Sequence, residues 1–158
     1  MMTVPLQGKI AAGRVALVDD EDYELVSRYR WNAARRSSRL YATTTLAAPV
    51  LMHTLIMGQR WVDHIDGDGL NNQRSNLRLA TQSQNSANTG SRGGTSRFKG
   101  VCWDPVNSRW VAQITTGNHA RKLGRYMTEE LAARAYDAAA LAAWGEYARL
   151  NFPPPASQ

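Results

Sequence analysis

Residues 86–96 read Ser-Ala-Asn-Thr-Gly-Ser-Arg-Gly-Gly-Thr-Ser, with three glycines and no apolar anchor. Such a stretch has nothing to bury and much backbone freedom, so it predicts a flexible linker. It divides the 158-residue chain into a domain at 1–88, a linker at 89–96 and a second domain at 97–153. Each part is small and must close its own core. The means are present, because 43% of the residues are hydrophobic and five are Trp, a composition too apolar for disorder. The expected class is α+β.

In the second part the pattern alternates. Segments 98–103, 109–115 and 120–126 read as three strands, with Asp104-Pro105-Val106-Asn107 and Gly117-Asn118 as turns. Thr128 then caps a helix with Glu129 and Glu130 in its first turn. Leu131, Ala135, Ala138, Ala139 and Ala142 recur at helical spacing up to Gly145, which predicts an alanine face laid on a three-stranded sheet. Along the second strand Arg109, Val111, Gln113 and Thr115 share one face, and Trp110, Ala112 and Ile114 the other. The second set can pack on the helix. The first is left for a partner, and Gln and Arg are side chains that read adenine and guanine in a major groove.

The first part opens with a basic, aromatic-rich lead-in. Asp19-Asp20-Glu21-Asp22 ahead of Tyr23, Leu25, Val26 and Tyr29 reads as a short helix with acids at its favoured end. Segments 31–34 and 39–44 flank Arg35-Arg36-Ser37-Ser38 as a hairpin with a basic tip, and 49–57 reads as an apolar helix that leads through Gly58 into the next motif. The chemistry follows in Val62-Asp63-His64-Ile65-Asp66-Gly67-Asp68-Gly69-Leu70-Asn71-Asn72 and Ser75-Asn76-Leu77-Arg78. Asn76 stands twelve positions after His64, and Asn85 nine further on. Cleaving a phosphodiester needs a base for the attacking water and a cation on the phosphate. Asp63 and Asn85 offer a charged and a neutral oxygen to a hard cation, Mg²⁺ with Mn²⁺ as the other candidate. His64, with an ordinary imidazole pKa near ~6.5, suits a general base. Asn76 suits a residue that holds the loop or orients the ring. Asp63 and His64 cannot both point inward from an ideal strand, so a twist, bulge or strand end is expected at His64.

Other readings of these residues are weaker. A calcium loop would need Glu where Ser75 stands. His53, among apolar neighbours, reads as a core or scaffold histidine, and His119 as a residue of a turn near phosphate. The formal net charge of +6 points to a polyanionic partner. No apolar run is long enough to span a bilayer, no signal peptide is evident at the start, and a single Cys excludes an internal disulfide. A cytoplasmic location, without membrane or small-molecule partner, is expected.

The wording from 5 to 88 resembles the HNH nucleases with their ββα-metal core, and in particular phage homing endonucleases; the lead-in Gly13-Arg14-Val15-Ala16-Leu17-Val18 is similar as well. The resemblance implies His64 as general base, Asp63 and Asn85 as metal ligands, with Asn88 as the other candidate, and Asn76 as support for the catalytic loop. Phe98-Lys99-Gly100-Val101, Trp110-Val111-Ala112-Gln113-Ile114, Leu123-Gly124-Arg125-Tyr126, Ala132-Ala133-Arg134-Ala135-Tyr136-Asp137 and Asn151-Phe152-Pro153 resemble the plant ethylene-response-factor (apetala-two) DNA-binding domain. There the sheet enters the major groove, which implies contacts from Lys99, Trp103, Arg109, Gln113, Thr115, Lys122 and Arg125. Cys102, Asp104 and Thr115 replace residues that are often Arg in plant members, so the plant target sequence does not carry over. The function expected is metal-dependent cleavage of duplex DNA leaving 5′-phosphate and 3′-hydroxyl ends, by a monomer that would most simply nick. The alternative is a non-catalytic DNA-binding regulator.

Overall fold

Strict alternation writes the first strand. In β1 (Met2–Gln7) Val4 and Leu6 are buried while Thr3, Pro5 and Gln7 are exposed, the signature of a strand with one wet face. The computed structural model describes residues 1–36, 39–91, 93–117 and 119–154. Ser37 and Ser38 of the expected hairpin tip, Asn118 of a turn and Arg92 of the linker lie outside them. The chain forms two units, Met1–Thr81 and Gln82–Gln158.

In the first unit β1 pairs with β2 (Val15–Val18) antiparallel and with β3 (Trp31–Arg36) parallel; β4 (Arg39–Thr45) and β5 (Pro49–Leu51) complete a five-stranded sheet in the order β2-β1-β3-β4-β5. The acidic run opens α1 (Asp20–Ser27) as expected. The 49–57 segment is not helical throughout. Its first three residues extend the sheet edge as β5, and only α2 (Met52–Met57) is helical, ending where Gly58 takes a left-handed φ of 61°. Pro49 lacks an N–H and fits an edge strand. Trp31 anchors the core at 1% exposure, its indole N–H donating to the Val26 carbonyl at 2.8 Å. Val4, Val18, Val26, Met52, Val62 and Leu77 pack around it. The remaining strands, β6 (Val62–His64) and β7 (Leu77–Leu79), form a separate antiparallel pair.

The second unit begins with α3 (Gln82–Ala87). A three-stranded antiparallel sheet, β8 (Val101–Asp104), β9 (Arg109–Thr116) and β10 (His119–Tyr126), packs on α4 (Glu129–Trp144). Thr128 caps α4, its hydroxyl accepting from the Leu131 N–H at 3.2 Å. The buried face of α4 is one residue off the expected one. Ala132, Ala133, Tyr136, Asp137 and Ala140 are buried, whereas Leu131 is 51% exposed. Two contacts set this rotation. The Tyr136 ring covers Gly100 so closely that a Cβ there would lie 2.0 Å from it. The Asp137 carboxylate accepts from the Asn151 and Phe152 backbone N–H groups, both at 2.8 Å, and so ties down the tail.

Candidate functional site

β6 ends at His64, so the strand end expected at that residue is present. Asp63 stands opposite Arg78 in register and accepts both Nε (3.1 Å) and Nη2 (2.9 Å) on Oδ2. The two side chains are 3% and 13% exposed, so this is a buried ion pair. His64, 3% exposed, lies with Nε2 3.3 Å from Oδ1 of Asn72. Two rings wall it: Tyr41 at 5.8 Å between centroids and His53, perpendicular, at 4.7 Å. Burial pushes the His64 imidazole below its ordinary pKa against the opposing pull of Asn72 and of Asp66, Asp63 and Asp68. The ring is therefore neutral at pH 7 and can accept a proton. His53 is a buried scaffold residue whose Nδ1 has no hydrogen-bond partner among the described residues. Burial, then the His64 and Arg36 charges, bring its pKa down to about 3. Its perpendicular packing on His64 has no local signal in the sequence.

The loop after His64 is closed by its own side chains. Asn76 accepts from the Asp66 N–H (3.0 Å) and donates to Asp66 Oδ1 (2.9 Å) and the Asn71 carbonyl (2.8 Å). Its amide is thus spent on the loop. Asp66 also takes the Asp68 N–H and the Asn71 amide, and Asp68 takes the Leu70 N–H at 3.0 Å. Both carboxylates serve local turns of the Asx kind. Gly69 must be glycine, since a Cβ would lie 2.3 Å from the Leu40 carbonyl and 2.5 Å from the Tyr41 ring.

The lead-in grips this loop, a role the sequence reading missed. Asp19 accepts the Arg74 N–H (2.8 Å) and the Gln73 amide (3.1 Å). Arg74 forks onto Asp22, 3% exposed, through Nε (2.9 Å) and Nη2 (2.8 Å), with Glu21 beside it. Leu17 of β2 donates to Leu70 and accepts from Asn72, both at 2.8 Å. The only available signal was an acid run richer than one short helix requires.

Asn85 is half-buried on α3, and Asn88, just past that helix, is 4% exposed; both belong to the second unit. Among the described residues no three His, Cys, Asp or Glu side chains gather into a metal cage. The Asp63 carboxylate in the first unit, and the Asn85 and Asn88 amides in the second, are each of the oxygen type that suits a hard cation.

In the second unit, register decides which side chains share the open face of the sheet. Lys122 lies opposite Gln113, Ala120 opposite Thr115, and Arg125 opposite Val111. Lys122 and Arg125 are three apart and would face opposite ways in a regular strand. A bulge between Lys122 and Gly124 restores both to one face. Gln113, Thr115, Lys122 and Arg125 are exposed and Arg109 half-buried, while Val111 is 3% exposed. Gln113 and Thr115 open onto a cavity of about 720 Å³. Arg125 pairs with Asp104 at 3.1 Å. Trp103 lies on the other face, opposite Trp110 in register with ring centroids 5.1 Å apart. The Lys99 ammonium donates to the carbonyl of Ala87 and, at 3.5 Å, to that of Ser86, and so secures the carbonyl end of α3. No helix among the described residues is long and apolar enough to cross a membrane.

Comparison with known proteins agrees with both halves. The HNH endonuclease family profile matches residues 59–87, and the AP2 domain profile residues 96–146. An uncharacterized HNH endonuclease of Acanthamoeba polyphaga mimivirus is 32% identical over 145 residues, covering 88% of this chain and 75% of that protein. An AP2/ERF and B3 domain-containing protein of Oryza sativa subsp. japonica is 55% identical over 60 residues, 37% of this chain and 16% of its own length. Protein 3.8 of Escherichia phage T7 is 39% identical over 56 residues, 35% of this chain and 46% of its own length.

Proposed function

Since the chain belongs to the HNH endonuclease family and carries an AP2 domain, we propose that it is a metal-dependent endonuclease that hydrolyses duplex DNA. The order β6, β7, α3 supports a ββα-metal arrangement. His64 is the general base. Its buried ring takes a proton from water, the resulting hydroxide attacks phosphorus as the bond to the 3′ oxygen breaks, and that oxygen takes a proton from solvent, leaving 5′-phosphate and 3′-hydroxyl ends. A positioned base of this kind contributes ~10²–10⁴ in rate. Asp63, with Asn85, would hold one divalent cation, Mg²⁺ or Mn²⁺, and Asn88 is the substitute for Asn85. When bound, such a cation stabilises charge on the phosphate and on the leaving oxygen. Arg78 fixes the direction of the Asp63 carboxylate, and Asn76 closes the loop that carries the ring.

DNA is gripped by the open face of the second unit. Gln113, Arg109, Thr115, Lys122 and Arg125 meet base edges and phosphates, with Lys99 at the border of that face. Trp103, on the helix side, would reach DNA only from its exposed edge. One observation carries the reading: a buried imidazole next in sequence to a carboxylate oriented by Arg78, on a loop closed by its own motif residues. Supercoiled plasmid nicking by the full chain in Mg²⁺ should cease in chelator and in His64→Ala while gel-shift binding persists. Equal nicking by His64→Ala removes the assigned base, and tight binding without cleavage under any divalent ion returns the reading to a DNA-binding regulator.

A further inference from the structure

Asn72 is a motif residue for which the nuclease reading has no task, yet it is the most completely buried polar residue described, at 0% exposure. We propose that Asn72 is a positioning residue that holds His64 in the Nε2–H tautomer, so that Nδ1 is the atom that accepts the proton from water. The inference rests on the assignment of His64 as base and adds which atom acts and what sets it.

The argument is one of donors and acceptors. Asn72 Nδ2 lies 3.1 Å from the Leu70 carbonyl oxygen. A carbonyl only accepts, so the amide nitrogen must face it; the reverse orientation would press two oxygens together. Oδ1 is then the end that meets His64 Nε2 at 3.3 Å. An amide oxygen cannot donate, so Nε2 carries the hydrogen, and in the neutral ring the lone pair is on Nδ1. The backbone locks the arrangement. The Asn72 N–H donates to the Leu17 carbonyl, and the Leu17 N–H to the same Leu70 carbonyl that orients the amide, both at 2.8 Å. Strand β2 of the lead-in thereby clamps the two groups that decide the tautomer. Tyr41 and His53, packed edge-to-face, leave the ring fixed between them.

The test is the nitrogen spectrum of the full chain labelled with ¹⁵N-histidine, recorded where the rings are neutral, with the His64 signals assigned by their loss in His64→Ala. The expected result is a protonated Nε2 and an unprotonated Nδ1. Asn72→Leu removes the acceptor and is expected to give a mixed ring, with single-turnover kcat down ~10²-fold and KM for DNA within about twofold, since a general base accounts for ~10²–10⁴ in rate. Asn72→Asp keeps an acceptor oxygen for Nε2 and should retain the Nε2–H ring, while its second oxygen, set against the Leu70 carbonyl, should lower stability. Should Asn72→Leu not fold, the wild-type and Asn72→Asp spectra still decide. A wild-type ring protonated on Nδ1 overturns the proposal, as does a folded Asn72→Leu with undiminished kcat. A ring found as Nε2–H in a chain that cleaves no DNA counts against the nuclease reading alone.

Discussion

Replacing Arg78 with Met takes away the guanidinium that balances Asp63 and leaves a chain of comparable reach. In the protein both N–H donors end on one carboxylate oxygen, at 3.1 and 2.9 Å, and the partners are 13% and 3% exposed. On a wet surface such a pair is worth ~0–1 kcal/mol. Here little water can replace the lost guanidinium, and stripping one partner from a buried pair costs ~3–5 kcal/mol. A domain is held by only ~5–15 kcal/mol. At ~4–8 °C per kcal/mol for a unit of this size, the melting temperature should fall by at least ~12 °C. The assay is urea unfolding of the full chain followed by Trp fluorescence, with Trp31 reporting the first core from its 1% exposed position. Asp63→Asn with Arg78→Met should recover most of the loss, because no uncompensated charge remains. Mg²⁺ should stabilise Arg78→Met more than the double variant, since a cation that binds the native carboxylate shifts the folding equilibrium. A loss below ~1 kcal/mol in the single variant, or a double variant no better than the single, would refute the reasoning.

His53 has a folded pKa of about 3, below the ordinary imidazole value. Between pH ~6.5 and 3 the unfolded chain therefore binds a proton that the native state refuses, and stability falls as pH falls through that window, by as much as ~5 kcal/mol in all. His53→Phe should flatten this dependence in urea titrations at pH 7 and pH 4.5; an unchanged slope would contradict it. Gly69→Ala must displace the Leu40 carbonyl or the Tyr41 ring, which should cost ~1–3 kcal/mol or more and shift the His64 resonances; a silent substitution would show the loop to be looser than described. Binding of DNA should weaken steeply with salt, and Lys122→Ala should lower the slope of log K against log[salt] by about one charge; an equal slope removes Lys122 from phosphate contact.

What the sequence disclosed follows the range of the interactions involved. The second and third strands of the second unit, the Thr128 cap and the short helix at Asp20 were legible because each is written in neighbouring residues: alternation, a capping hydroxyl, acids in a first turn; the first strand starts at Val101 rather than at 98 and takes in Asp104, expected as a turn. The strand end at His64 was likewise local. What escaped was set by distant partners. The grip of Asp19 and Asp22 on Arg74 spans more than fifty residues. The alanine face of α4 was misplaced by one residue because Tyr136 answers to Gly100 and Asp137 to Asn151. The resemblance groups Trp103 with the groove-facing residues, whereas its register partner Trp110 places it on the helix side of the sheet. The five-stranded lead-in sheet held only a faint pattern, since its edges are a proline strand and a four-residue strand.

The most direct test of the account is the single-turnover cleavage rate of duplex DNA at saturating enzyme in Mg²⁺, for the full chain and for His64→Ala, with DNA affinity measured on the same samples. The account predicts a rate lower by ~10²–10⁴ in the variant at unchanged affinity. Equal rates, with the variant folded and bound, would contradict it.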